Sequence, residues 1–344
     1  MLLALTSERS GCFFNSINSP IINAHISLFF RIFAAVIRFR NMVKWRVQVL
    51  RQSVMAVAWG MLMCSDACAQ AFSMGWISAP NDWNGWQVWI SRSYDDKAKP
   101  RSAHVEVMTD GRYDLYVNQF IVGRDVLMPR RDEADSGRIA VGRHDITPYL
   151  KDSANTIALW IAPQQGRKRC IVSVCYYGTD ANGQPFAYYS DDSWLCHKAN
   201  AHGDTIDATA YIPYWNSDTL GVAMWRSASP VAFDVHSPMA KAAMKAYRVV
   251  SVHQPLWQQS TDDKLTVGFG SVYMGWARVT LREAKCGERI RINGLTYVCN
   301  GTMDEQACRK FTVEYMDRIV ITGDSHFTPS QVVGVELVEI SDKW

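Results

Sequence analysis

Residues 118 to 130 combine side-chain types that can hold a sugar. Asn118 stands near the end of a predicted strand, and Arg124, Asp125 and Arg130 follow in the next loop. Amide, carboxylate and guanidinium groups hydrogen-bond the hydroxyl rim of a sugar. We therefore predict carbohydrate binding at these four residues. The alternative is that Asn118 caps its own turn and that the arginines are merely solvated.

Tryptophans at positions 83, 86 and 89 could serve the other side of such a ligand. A sugar also presents an apolar C–H face, which packs against aromatic planes. The three residues alternate imperfectly, and Trp89 fits the inward side of a strand. We expect Trp89 in the core and Trp83 or Trp86 as the exposed platform.

Acidic and histidine side chains elsewhere offer little for catalysis. Glycosidases place two carboxylates across a sugar-sized cleft. The close acidic pairs of this chain lie instead in turn-like sequence, where Asp caps backbone N–H groups: Asp191/Asp192, Asp204/Asp207 and Asp262/Asp263. His197 and His202 stand beside the second pair and have metal-ligand side chains, yet a polar loop is the simpler interpretation. We expect no catalytic residue in this chain.

Short runs rich in Val, Ile and Tyr, separated by turn signals, predict an all-β protein. Residues 102–108 alternate, Thr-Asp-Gly at 109–111 supplies a turn, and residues 113–122 alternate again. Further strands are predicted at 156–161, 170–177, 265–269, 276–281, 289–292, 310–315, 318–322 and 331–340, with residues 270–276 joining two of them. Such spacing is typical of sandwiches and jelly rolls. Residues 234–247 are the one helical or linker stretch, so we place a domain boundary near residue 240.

Residues 42–69 have the organisation of a secretory signal peptide. A basic stretch at 44–51 precedes an apolar run at 53–63 and a small-x-small cleavage motif at 67–69. The run is too short to span a bilayer stably. We therefore predict cleavage before Gln70, export to the periplasm or the medium, and no membrane span in the mature chain. Residues 1–41 are expected to be a spurious extension.

The formal net charge of +3 comes from the N-terminal residues. Residues 1–69 hold seven of the 36 basic and two of the 33 acidic residues, so 29 basic and 31 acidic residues remain. No basic tract is left that would suggest a nucleic-acid partner. Export also implies an oxidising compartment, in which Cys170–Cys196 and Cys299–Cys308 are candidate disulfides. Buried free thiols are the equal alternative.

Several blocks of the sequence, in order, resemble bacterial α-L-rhamnosidases. They are 76–80 (Trp-Ile-Ser-Ala-Pro), 103–123 (AHVEVMTDGRYDLYVNQFIVG), 145–157, 190–194 (Ser-Asp-Asp-Ser-Trp), 207–209 (Asp-Ala-Thr) with Trp215 and Trp225, 269–276 (Phe-Gly to Gly-Trp) and 317–323 (DRIVITG). The sequence departs from the family pattern at Gln119, where the family has Gly, at Gly268, where it has Asp, and at Thr209, where it has Arg.

The resemblance implies a carbohydrate-binding-module-like jelly roll at 70–240 and a concanavalin-like β-sandwich at 241–344. The family's catalytic (α/α)-barrel would begin just after Ile340. The resemblance also implies a rhamnose-containing glycan as ligand, a separate catalytic domain as a partner, and a calcium ion that Asn118 and Asp125 would suit. We expect a non-catalytic accessory protein. The alternatives are a split α-L-rhamnosidase that needs its barrel in trans, and a structural surface protein without a sugar site.

Overall fold

The computed structural model describes residues 75–129, 141–164, 166–218, 221–232 and 246–342. They belong to one compact unit, 71–344. The strands are β1 (Trp76–Ser78), β2 (Trp86–Asp95), β3 (Ser102–Thr109), β4 (Arg112–Val117), β5 (Phe120–Ile121), β6 (Asp125–Val126), β7 (Val141–Asp145), β8 (Ala154–Ala162), β9 (Ile171–Thr179), β10 (Pro185–Tyr189), β11 (Leu195–His202), β12 (Thr205–Asp207), β13 (Arg226–Ser227), β14 (Ser229–Pro230), β15 (Tyr247–His253), β16 (Trp257–Ser260), β17 (Lys264–Leu281), β18 (Arg289–Ile292), β19 (Leu295–Val298), β20 (Glu305–Cys308), β21 (Glu314–Gly323) and β22 (Val332–Ser341). The predicted all-β class is confirmed.

Helical turns in the described ranges are short 3-10 helices at Thr147–Tyr149, Ala208–Ala210, Val222–Met224 and Pro329–Gln331. Within those ranges, no helix has the length and apolar character needed to cross a membrane.

Two sheets enclose a first hydrophobic core. One has the order β14–β1–β9–β3–β7, with β10 on β9, and the strands β5–β4–β8–β2–β11 form the other side. The strands alternate as their sequences predict: Val105 and Val107 of β3 point into the core, as do Leu115 and Val117 of β4 and Leu159 of β8. Burial of these side chains stabilises the sandwich because it removes apolar surface from water.

A second core lies among strands of the C-terminal half. The 18-residue strand β17 is its centre, and it pairs with β16, β20, β21 and β22. Leu265, Val267 and Phe269 of β17 point inward and share this core with Ile319 of β21 and Leu337 of β22. The two cores confirm the prediction of two β-sandwiches.

Strand pairing joins the two sandwiches. β12 runs parallel to β19, with Thr205 opposite Thr296, and β6 pairs with β15 through Asp125 and Arg248. The larger sheet therefore continues from one sandwich into the other. The predicted boundary near residue 240 lies outside the described residues, as do residues 1–69, so the segment limits stay predictions.

The strands differ from the predicted ones in several places. Residues 113–122, predicted as one alternating run, are divided by a two-residue turn into β4 and β5. Residues 314–323 form the single strand β21, where two strands were predicted. Residues 264–281 form one strand rather than two, because the chain passes the Gly270 region as a bulge, where the pairing with β21 shifts between Gly268 and Tyr273. Residues 310–313 are a loop rather than the start of a strand. The carbonyls of Lys310 and Phe311 accept hydrogen bonds from side chains of the first sandwich instead of from a neighbouring strand.

The cysteines follow the alternative that the sequence left open. Cys170 and Cys196 are buried free thiols, and Cys299 and Cys308 are free as well, so neither candidate disulfide is formed. Burial raises the pKa of Cys196 and of Cys299 to about 12, because the apolar surroundings disfavour a thiolate. The buried thiols act as small apolar core side chains.

Candidate carbohydrate-binding site

Asn118 lies in the two-residue turn between β4 and β5. Asn118 (φ 50°) and Gln119 (φ 76°) both have left-handed backbone angles, which identify a type I′ hairpin turn. Asn118 is only 3% exposed. Its Nδ2 donates to the Tyr149 carbonyl and to Asn155 Oδ1, both at 2.8 Å, and its Oδ1 accepts from the Thr156 N–H at 3.0 Å. The side chain therefore fixes the turn to the body of the sandwich.

The other predicted sugar ligands take partners of their own. Asp125 is half-buried, and its Oδ1 accepts from Arg248 Nε at 2.8 Å. Arg124 is exposed, and Arg130 lies outside the described residues. The predicted calcium ligands fit a metal poorly. The Asn118 amide is already hydrogen-bonded to protein groups, and the Asp125 carboxylate is already paired with the Arg248 guanidinium. In the described ranges, no group of three or more His, Cys, Asp or Glu side chains could hold a metal ion.

Trp83 and Trp86 lie against cations. Trp83 is buried, with Arg226 5.3 Å and Lys198 5.8 Å from its ring centre. Trp86 is half-buried, with Lys198 4.9 Å from its ring centre and the His202 ring at 4.8 Å. Cation–π contacts of this kind stabilise the packing of the rings. Trp83 thus lacks the predicted exposure, and Trp86 shares its surface with Lys198 and His202.

An aromatic row crosses the outer face of the sheet β4–β8–β2–β11. The register places Trp160 opposite Trp89 and Trp89 opposite His197. Trp89 is fully buried, as predicted. Trp215 stacks on Trp89 with ring centres 5.2 Å apart and an angle of 13°, and Tyr211 packs edge-on at 5.6 Å. The segment after β12 therefore covers the sheet face that a sandwich module could offer to a ligand.

The acidic residues beside the histidines do not converge. His197 belongs to the aromatic row, Asp204 pairs with Arg309 at 3.4 Å, and Asp207 accepts from the Thr209 N–H at 3.0 Å, which caps the following 3-10 helix. Each group therefore has a separate structural contact. The arrangement agrees with a polar loop rather than a metal site.

Sequence reasoning missed a partly buried ion pair at the other end of the aromatic row. Lys310 Nζ lies 2.7 Å from Asp114 Oδ2, 3.2 Å from Tyr116 Oη and 4.4 Å from the Trp160 ring centre. Burial alone would lower the pKa of the Lys310 ammonium, but the attraction of Asp114 and Tyr116 outweighs it, so this pKa lies above its ordinary value. Asp114 belongs to the first sandwich and Lys310 to the second. The pair therefore fastens the two sandwiches together, and its one sequence signal is the polar Asp114 between the buried Tyr113 and Leu115.

Trp276 is half-buried beside a crevice of the second sandwich. Asn293, Arg309 and Glu314 also line the crevice, and Arg309 Nη1 pairs with Glu314 Oε1 at 2.8 Å. The crevice has room for about one water molecule. A sugar ring does not fit there.

Comparison with known proteins relates the chain to one group of solved structures. No family model and no curated protein matches the sequence. An α-L-rhamnosidase from Dictyoglumus thermophilum superposes with a TM-score of 0.67 at 18% identity, covering 80% of this chain and 36% of that one. One from Aspergillus terreus gives 0.65 at 17%, covering 77% and 36%. One from Streptomyces avermitilis, complexed with L-rhamnose, gives 0.64 at 15%, covering 75% and 29%.

At these sequence identities, the similarity between this chain and the three structures concerns the fold alone. The chain has the fold of part of an α-L-rhamnosidase, in agreement with the resemblance that the sequence blocks predicted. It spans about a third of the length of each of these structures.

Proposed function

We propose that this chain is a non-catalytic, carbohydrate-binding accessory part of an α-L-rhamnosidase-like glycoside hydrolase, with rhamnose-containing glycans as its ligands. The observation that carries the proposal is the superposition on three α-L-rhamnosidases. It extends over three quarters or more of this chain, which is more than either sandwich alone contains. An accessory module of this kind acts by holding a catalytic partner near its glycan, which raises the local concentration of the reacting groups.

The surroundings of the close acidic pairs support a non-catalytic role. Asp191 Oδ1 pairs with Arg92 at 2.9 Å and accepts from the Ser193 N–H at 3.0 Å. Asp263 Oδ1 accepts from Thr261 Oγ1 at 3.2 Å. These carboxylates satisfy turns and ion pairs, whereas a glycosidase needs two of them facing each other across a cleft.

A glycan array tests the proposal. The purified protein is expected to bind oligosaccharides that contain α-L-rhamnose and not to bind matched oligosaccharides that lack it. It is also expected to leave an aryl α-L-rhamnoside intact. Equal binding to both sets, or release of the aryl group by the purified protein, would contradict the proposal.

A split α-L-rhamnosidase is a second candidate, favoured by coverage of about a third of each related structure. In that case a separately encoded catalytic barrel would combine with this chain. Co-purification of the barrel with the protein, and rhamnosidase activity that needs both, would support this candidate. An active barrel that does not bind the protein would exclude it.

A structural surface protein is a third candidate, and the packed Asn118 amide favours it. All three candidates act outside the cytoplasm, and the signal-peptide pattern at 42–69 supports this part of the proposal. N-terminal sequencing of the protein recovered from the periplasm or the medium is expected to start at Gln70.

A further inference from the structure

The hairpin formed by β16 and β17 carries an exposed tryptophan. β16 is an edge strand whose four residues are all exposed, and Trp257 is 46% exposed. The register places Trp257 opposite Gly268. Gly268 belongs to the outward face of β17, since its neighbours Val267 and Phe269 point into the second core. Trp257 therefore lies on the outer surface of the second sandwich.

Gly268 provides the place where the indole rests. A Cβ atom at position 268 would overlap Cε2, Nε1 and Cζ2 of Trp257, so the ring lies directly on the glycine backbone. Leu256 rests in the same way beside Gly270, where a Cβ atom would come 2.7 Å from Leu256 Cδ1. One side of the indole is thus packed while the rest is open to solvent. An aromatic plane held in this way loses little rotamer entropy when a ligand binds.

Polar residues occupy neighbouring positions on the same face as Trp257. Gly268 pairs on its other side with Arg318 of β21, and the next row of this face contains Gln259 of β16 opposite Thr266. Asp317 accepts from Arg318 Nε at 3.0 Å and from Arg318 Nη2 at 3.1 Å. This pairing orients the guanidinium and uses two of its five N–H groups.

The spacing of these groups suits a single sugar ring. Trp257 and Arg318 are two strands apart, so their Cα atoms are separated by about 10 Å. Gly268 lies between them, and because it has no side chain the indole rests over it. The result is a shallow surface with an aromatic plane on one side and hydrogen-bonding groups on the other.

We propose that Trp257, Gln259 and Arg318 form a carbohydrate-binding platform on the second sandwich. The indole packs on the C–H face of a sugar, and the Arg318 guanidinium and the Gln259 amide bond its hydroxyls. This inference rests on the proposed accessory function, because it names the surface at which the glycan binds. It also moves the site away from the Asn118 turn and from Trp83 and Trp86.

Calorimetric titration with an α-L-rhamnosyl oligosaccharide tests the platform. Trp257→Ala is expected to weaken binding at least tenfold. Gly268→Ala keeps the indole but displaces it from its resting place, so it is expected to weaken binding severalfold. Tyr214→Ala removes an aromatic side chain that is 67% exposed on the first sandwich, and it is expected to leave binding unchanged. Urea midpoints near that of the parent protein show that each variant is folded.

The outcomes separate the platform from the wider proposal. If the parent protein binds and Trp257→Ala binds equally well, the platform is refuted while the accessory function stands. If the folded parent binds no rhamnosyl glycan, both are refuted. Sedimentation velocity provides a third arm: a parent that self-associates through Trp257, with unchanged glycan binding in Trp257→Ala, would make this surface a protein interface and overturn the inference.

Discussion

Replacing Lys310 with Met should weaken the junction between the two sandwiches more than any surface ion-pair substitution. Lys310 Nζ and Asp114 Oδ2 are 2.7 Å apart, with side chains 28% and 11% exposed. At an effective dielectric constant of about 20, two unit charges at this distance attract by about 6 kcal/mol, and desolvation of both groups offsets much of that. The variant leaves the Asp114 carboxylate buried without its cation. We expect a loss of about 3 kcal/mol in the free energy of unfolding.

Urea unfolding at pH 7, followed by tryptophan fluorescence, measures this loss. The double variant Asp114→Asn with Lys310→Met removes the stranded charge, so it should cost about 1 kcal/mol, less than Lys310→Met alone. Arg282→Met is the matched control, because Arg282 and Asp304 form a pair with both side chains about half exposed, and its cost should stay below about 1 kcal/mol. A Lys310→Met variant as stable as the control would show that the Lys310–Asp114 pair does not stabilise the junction. The raised pKa of Lys310 also predicts the pH dependence of the free energy of unfolding. The contribution of the pair is complete below the ordinary lysine pKa and is lost only as the pH rises through the pKa of the folded protein.

Three further predictions concern the first sandwich. Gln119→Gly should stabilise the protein by about 0.5–1 kcal/mol in urea unfolding, because the Gln119 φ of 76° favours glycine; a loss of stability would contradict the assignment of a type I′ turn. Asn118→Ala should lower the free energy of unfolding by about 2–3 kcal/mol, because three hydrogen bonds are lost, while the affinity for rhamnosyl glycans stays unchanged. A loss of affinity in the folded variant would indicate that the sugar binds at this turn. Burial lowers the pKa of His144 to about 4, whereas an unfolded histidine titrates near 6.5, so the free energy of unfolding should fall by up to about 3 kcal/mol between pH 6.5 and 4. His144→Gln should flatten this slope, and a variant that keeps the full slope would show that another group is responsible.

The strands were predictable where burial alternates within one segment. Residues 102–108 and 289–292 were identified because every second side chain is apolar, and both segments are strands. The turn at Asn118 was only the alternative interpretation, because residues 113–122 alternate as one strand would. Asn nevertheless tolerates the left-handed backbone that a two-residue hairpin needs. Period-two patterns and turn residues depend on only a few neighbouring positions, so they can be recognised without knowledge of the fold.

The site was less predictable because its contacts join distant segments. Trp83 or Trp86 was expected to be exposed, but Lys198 and Arg226 lie over the Trp83 ring. No local sequence pattern indicates a cation that comes from another strand. The Lys310–Asp114 pair links residues on different sandwiches. Trp257 was overlooked because its significance depends on the missing side chain at Gly268 across the hairpin.

The proposed function requires that this chain binds rhamnose-containing glycans without cleaving them. Isothermal titration of the purified protein with an α-L-rhamnosyl oligosaccharide, with and without EDTA, followed by chromatography of the recovered sugar, tests it most directly. We expect saturable binding that persists in EDTA, because Asn118 and Asp125 fit calcium poorly, and recovery of the intact oligosaccharide. Absence of binding by the folded protein, or recovery of free rhamnose, would contradict it.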